Sequence, residues 1–376
     1  MVLQERKDMK RSESTFPLKE DFILLNFIND IWKDGWLDEY SDKHFLIRAI
    51  ENRLTDFLGE QQLCLDNTSI YPFVDKNNFV LNFLLNFSAK MSGLCTIFGK
   101  DQMKKFVTNQ LSAGKDNYNE EQFFRALSEI SVISYLCSIT SWKDKIYEPQ
   151  INGKKNPEVR LVSQDDVIID VEVKTPGFKQ TNLNKRKIMP TVLLSQEGRL
   201  TIEEHCKVRN IECLMPRVGK LKDFINSAAE KFEIPKNDNH LNLLFINWSY
   251  SEFAPDAYLE AYSLLVNPIN GIIRNKNMGV KIGISEDAYD KISAIIVYSD
   301  SLNGLTYLDL RYLWIKQKFR MIALNQNINY RNLIGMNADP DPEQILCVLG
   351  DEYAERKQDS PTMQALPIIS QHILRE

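Results

Sequence analysis

Glu172 and Lys174 stand two apart in the run VIIDVEVK, residues 167 to 174, and Glu158 follows a proline, with thirteen residues between it and Glu172. Side chains alternate along a strand. Ile168, Asp170, Glu172 and Lys174 are therefore expected on one face, and Ile169, Val171 and Val173 on the other. Acids on a strand otherwise built from Val and Ile are costly to desolvate unless they are paired or put to use. Two carboxylates that converge on one point repel each other. A hard divalent cation with oxygen ligands, Mg²⁺ or Mn²⁺, relieves that repulsion. A lysine beside them can orient a water or steady negative charge building on a phosphate. The chemistry these types suggest is hydrolysis of a phosphate ester.

The preceding run, PEVRLVS, forms a hairpin with VIIDVEVK across QDD, residues 164 to 166. A three-residue connection pairs 163 with 167, which sets Arg160 against Asp170 and Glu158 against Glu172. A two-residue turn slips the register by one and sends Glu158 to the wrong face. A site that uses both acids needs the odd loop or a bulge of equal effect. In that register Asp170 has a plain structural role, an ion pair with Arg160. The plainer alternative for Glu172 and Lys174 is a surface salt bridge on a half-exposed sheet, which contributes little.

These strands sit in a longer pattern. A helix is expected over NEEQFFRALSEISVISYLCSI, with Phe123, Ala126, Leu127, Ile130, Ile133 and Cys137 on one stripe. Short extended pieces follow: KIYEPQI, EVRLVS and VIIDVEVK. TPGFKQTNLNKRKIMP reads as a loop. Residues 200 to 232 read as helix, broken near MPRVG and clearest in KLKDFINSAAEKF. HLNLLFINWSY and SAIIVYS are buried strands by their apolar runs. The order from 117 to 300 implies an α/β arrangement, a mixed sheet flanked by helices.

Pro157-Glu158 followed by Glu172-Val173-Lys174 resembles the PD-(D/E)xK nuclease superfamily, with its restriction-endonuclease-like core. The helix–strand–strand–strand–helix–strand order resembles that core as well. The resemblance implies a metal-dependent nuclease hydrolysing phosphodiester bonds, DNA by family analogy. It places Glu158 at the first metal position, where Asp is the more usual residue. It places Glu172 at the second and Lys174 at the catalytic lysine, with the carbonyl of Val173 as a further ligand. Many members add an acid from the preceding helix. Glu129 is the candidate, about 100° from the centre of the apolar stripe. The implied cofactor is Mg²⁺ or Mn²⁺, and a homodimer is one arrangement the resemblance allows. A nuclease fold that has lost its chemistry and binds nucleic acid or protein is the alternative.

Charge distribution bears on the partner. The 376-residue chain has a net charge of −5, yet Lys174 to Lys222 holds eleven Lys or Arg against four acids, a net of +7. Lys179, Lys185, Arg186, Lys187, Lys220 and Lys222 are the candidates for contacts to a nucleic-acid backbone.

The remaining features narrow the class. The chain is 43% hydrophobic and 26% charged, ordinary for a globular protein. There is no apolar run of 18 residues, so no membrane span is expected. The first twenty residues are expected to form a flexible tail without a secretory signal. Six cysteines, at 64, 95, 137, 206, 213 and 347, form no CxxC pair, and reduced thiols in a cytoplasmic protein are expected. His205, Cys206 and Cys213 fit no common zinc spacing. No P-loop and no GxSxG occurs. The four histidines, at 44, 205, 240 and 372, are too dispersed for a His-based site. WSYSEF, 248 to 253, could stack on a base, although such residues more often close a core. Expected domains are a tail (1–20), a helical region (21–115), the α/β core (116–304) and an appendage (305–376).

Overall fold

The structure is a computed structural model, and it describes residues 10–18, 25–51, 76–139, 141–150, 155–176, 187–188, 196–213, 216–248, 258–267, 270–298, 319–324 and 346–348. The chain divides into two compact units. One is Met1–Ser138 with Ser301–Leu313, and the other is Ile139–Asp300 with Trp314–Glu376.

The first unit is helical. Its described helices are α1 (Asn26–Lys33), α2 (Phe45–Ile50), α3 (Lys76–Phe98), α4 (Lys100–Lys105) and α5 (Glu120–Ile139). A π-helical turn, Phe106–Gln110, follows α4. Aromatic edges dominate the interior: Phe45 meets Phe83 at 5.2 Å and Phe124 at 5.3 Å, both edge to face. Helix α5 was expected to bury one stripe. It is buried around most of its circumference, and Glu121, Gln122, Arg125 and Glu129 mark the side left partly open.

His44 caps α2. Its Nδ1 accepts from the Leu46 amide at 3.0 Å, so the proton sits on Nε2, 2.6 Å from the Leu111 carbonyl. Burial pushes this imidazole down to about 4, against the pull of the Leu111 carbonyl.

The second unit holds a seven-stranded sheet in the order β1-β2-β3-β6-β7-β8-β9. The strands are β1 (Asp144–Tyr147), β2 (Val159–Val162), β3 (Ile168–Lys174), β6 (His240–Asn247), β7 (Ala294–Tyr298), β8 (Phe319–Ala323) and β9 (Leu346–Val348). A separate parallel pair joins β4 (Lys187–Ile188) to β5 (Glu212–Cys213). The unit's helices are α6 (Gln196–Val208), α7 (Val218–Ala229), α8 (Tyr258–Val266), α9 (Lys276–Lys281) and α10 (Glu286–Lys291). The expected mixed α/β sheet is therefore present. The region after 305 adds β8, antiparallel to β7, and β9 to the same sheet.

β1, β2 and β3 form an antiparallel meander, and β3, β6 and β7 run parallel. The parallel strands are buried on both faces, which explains the apolar runs LLFI in β6 and AIIV in β7. One face of β6 and β7 packs Leu244, Ile246, Ile295 and Val297 against Leu221, Phe224, Ile225 and Ala228 of α7 and Leu264 and Leu265 of α8. Trp248 is fully buried in that core, so WSYSEF begins as core; its other residues lie outside the described ones. Trp248 Nε1 donates to Glu260 Oε2 at 2.8 Å, and Glu260 Oε1 accepts the Arg217 amide at 3.0 Å. That pair of bonds fixes where α7 starts above the sheet. Among the described residues no helix is long and apolar enough to cross a membrane.

A neutral His44 makes the first unit sensitive to acid. The stability it confers is complete above about pH 6.5 and is lost as the pH falls from there through about 4, by about 3 kcal/mol. Urea unfolding of wild type and His44→Phe across pH 4 to 8 checks this. The variant is expected to be less stable at pH 8 but to lack that share of the acid loss.

Candidate active site

The β2–β3 hairpin sets the geometry. The Ser163 amide donates to the Val167 carbonyl at 2.9 Å, and the Asp166 amide to the Ser163 carbonyl at 3.2 Å. Asp166 takes φ 61°, the left-handed conformation that a turn followed by one αL residue requires and that Asp tolerates. The connection is the expected odd loop, and the register sets Arg160 against Asp170 and Val159 against Val171. At Glu158 the ladder departs from expectation. Its amide donates to the Val171 carbonyl at 2.9 Å, so Glu158 and Val159 both address one residue of β3, as in a β-bulge.

Asp170 and Glu172 are both fully buried, which excludes a half-exposed sheet face. Asp170 is completely paired. Arg160 donates through Nε to Oδ1 and through Nη2 to Oδ2, each at 2.7 Å. His240 Nε2 lies 2.9 Å from Oδ2 and must donate there, because a carboxylate only accepts. Burial alone would raise the Asp170 pKa; Arg160 and His240 outweigh it and hold the group below the ordinary carboxylate value.

Glu172 is held differently. Lys174 Nζ lies 2.6 Å from its Oε1, and Lys231 Nζ lies 2.8 Å from the same oxygen. Neither contact is directed as a hydrogen bond, and Oε2 is a buried oxygen with no hydrogen-bond partner among the described residues. Lys231 also donates to Glu158 Oε1 at 2.9 Å. Burial first, and then the Glu158 carboxylate, push the Glu172 carboxyl up to about 7 against the two lysines. Burial disfavours the charge on Lys231, but Glu158 and Glu172 more than offset it and raise its pKa far above the ordinary lysine value.

Glu158, Glu172 and Lys174 thus come together, with Val173 between the last two on β3. Glu129 lies half-buried on α5, in the first unit. Lys220 and Lys222 are half-buried on α7, Lys220 over the Phe224 ring and Lys222 3.4 Å from Asp223. Lys187 lies in β4, whereas Lys179, Lys185 and Arg186 fall outside the described residues. His205 is exposed and Cys206 buried on α6. Among the described residues no three His, Cys, Asp or Glu gather as a metal site.

Two participants were not anticipated. Lys231 is in phase with the apolar stripe of α7, seven residues after Phe224 and three after Ala228, and a lysine at such a position is the sign of a buried partner. His240 opens a mostly apolar strand.

No protein-family model, curated protein or solved structure matches this chain.

The two acids differ in what their removal should do. Arg160→Met leaves Asp170 buried with His240 as its remaining partner and is expected to cost about 3–5 kcal/mol; adding Asp170→Leu should recover most of it. Glu172 carries the opposite sign. Its folded-state pKa lies above the unfolded value, so its contribution is present below about pH 4.5 and is lost as the pH rises through about 7. Glu172→Gln is therefore expected to be more stable than wild type at pH 8, by about 1–3 kcal/mol, with the gap closing by pH 5. Chemical denaturation at the two pH values decides both.

Proposed function

We propose that the chain is a Mg²⁺- or Mn²⁺-dependent nuclease of the PD-(D/E)xK kind, a phosphodiester hydrolase acting as an endonuclease, on DNA by family analogy. The observation that carries this is the meeting of Glu158 and Glu172 on one ammonium, at 2.9 and 2.8 Å, with Lys174 2.6 Å from Glu172. The succession α5, β1, β2, β3, α7, β6 supports it, with β4, α6 and β5 inserted between β3 and α7, being otherwise the order of the restriction-endonuclease-like core. The donor set suits a hard cation: two carboxylates, one of them with a buried oxygen lacking a hydrogen bond.

Glu158, Glu172 and the Val173 carbonyl would hold the cation. When bound, it would supply positive charge at the phosphate under attack. Lys174 ends β3 and keeps 18% of its side chain exposed, so its ammonium can face both Glu172 and an entering substrate. There it orients the attacking water or steadies charge on the phosphate. Lys220 and Lys222, with Lys179, Lys185, Arg186 and Lys187, would hold the backbone, and binding would weaken steeply with salt.

One observation favours a second reading. Two carboxylates face two ammoniums, so the cluster is balanced without any added ion. A nuclease fold that only binds nucleic acid or protein would look like this.

The test is cleavage of plasmid, linear duplex and single strands by wild type and Lys174→Ala, each with Mg²⁺, Mn²⁺ or EDTA. Wild type is expected to cut with metal, to stop in EDTA, and to lose about 10²–10³-fold in rate in Lys174→Ala. Binding of labelled duplex with no cutting under any condition would support the binding module instead.

A further inference from the structure

Lys231 contacts both carboxylates of the cluster, and the Pro-Glu and Glu-x-Lys pattern of this chain does not include it. We propose that Lys231 is a tethered counter-cation that occupies the position between Glu158 and Glu172 and competes with a divalent cation for them. The inference rests on the reading of these two acids as a cation site.

The geometry supports competition over simple support. Lys231 Nζ stands 2.9 Å from Glu158 Oε1 and 2.8 Å from Glu172 Oε1, so one positive charge is shared by the two groups that would hold the ion. Lys174 reaches Glu172 from the strand itself. With both lysines in place the four charges cancel. A divalent cation added to that set leaves a net double positive charge around a fully buried carboxylate, which is costly where solvent screens weakly. Withdrawing one ammonium lowers that cost.

Lys231 is the ammonium able to leave. Its backbone is anchored, the amide donating to the Ala228 carbonyl at 2.9 Å, and the next residue, Phe232, is buried in the α7 core. The side chain, by contrast, keeps 19% of its surface exposed, and four methylenes let the head swing out while the stem stays packed. Lys231 therefore keeps the acids from repelling each other when no divalent cation is bound, and it makes metal binding weaker than the same acids would otherwise allow.

Calorimetric titration of the full chain with MnCl₂ tests this on wild type, Lys231→Gln and Lys231→Arg. Lys231→Gln is expected to bind Mn²⁺ at least about tenfold more tightly than wild type, and Lys231→Arg, which keeps the charge, to bind about as wild type does. Binding by Lys231→Gln that equals or falls below wild type overturns the proposal. Because Lys231→Gln leaves buried acids less compensated and can fail to fold, a second measurement uses wild type alone. Lysine acylation, read by mass spectrometry, should run severalfold faster at Lys231 when Mg²⁺ is added, with exposed Lys236 unchanged. An unchanged Lys231 rate overturns the proposal as well. The nuclease reading is judged separately, by wild-type cleavage: cutting with no competition at Lys231 sinks this inference alone, whereas no Mn²⁺ binding and no cutting sinks both.

Discussion

Everything around the site follows from placing two acids on a strand that has no solvent-facing side. β3 lies inside the sheet between β2 and β6 and is buried on both faces. Asp170 and Glu172 cannot be hydrated there, so each must be neutralised by what the neighbouring strands and helix bring to it. Asp170 receives a full set of partners: a two-point guanidinium from β2 and an imidazole from the first residue of β6. Glu172, one step further on the same face, has two ammoniums near Oε1, and neither of its oxygens has a directed hydrogen bond among the described residues. Local chemistry is nearly the same for the two acids. Their surroundings make one a structural ion pair and leave the other open to a further charge.

That difference depends on the hairpin and the helix together. The odd loop with Asp166 in the left-handed region places Arg160 opposite Asp170 and leaves no guanidinium for Glu172. At the two-against-one step, Glu158 keeps its carboxylate within reach of the ammonium it shares with Glu172. Helix α7 then returns the chain across the sheet to the parallel strand β6. Its apolar stripe packs on Leu244 and Ile246, and the residues just after its last turn arrive over the two acids. Lys231 is in the cluster because it continues that stripe. The core and the cluster are thus one packing arrangement, apolar over β6 and β7 and charged over β3.

The parts of this that are local in the chain were legible in the sequence. Alternation in VIIDVEVK and an odd connection decide a register, and the register decides that Arg160 meets Asp170. Long apolar runs announce β6 and β7. Lys231 and His240 were not legible as partners, because they reach β3 from 59 and 70 residues away through a crossover whose geometry no local pattern encodes. β8 and β9 were missed for a related reason: pairing on the far side of β7 is a long-range choice, and the stretch 305–376 carries no strong period of its own. The β4–β5 pair, two residues each, is too short to leave a pattern. The single stripe read from helical spacing overstated the amphipathicity of α5, where Ser128 and Ser131 are buried among the apolar residues.

Stability does not account for Glu172. A buried ion cluster generally gives no advantage over apolar residues of similar volume, and an unpartnered buried oxygen makes it worse. Leu244 and Ile246, its neighbours on the same face, show that this position lies beside a core that accepts aliphatic side chains. Asp170 at least completes a closed set of hydrogen bonds. Glu172 keeps a carboxyl raised to about 7, an oxygen without a hydrogen bond and two lysines sharing the other, next to a partly exposed Lys174. Under the proposed reading, these features belong to a site for the charge of a ligand. Both oxygens of that carboxylate are buried without a directed hydrogen bond among the described residues.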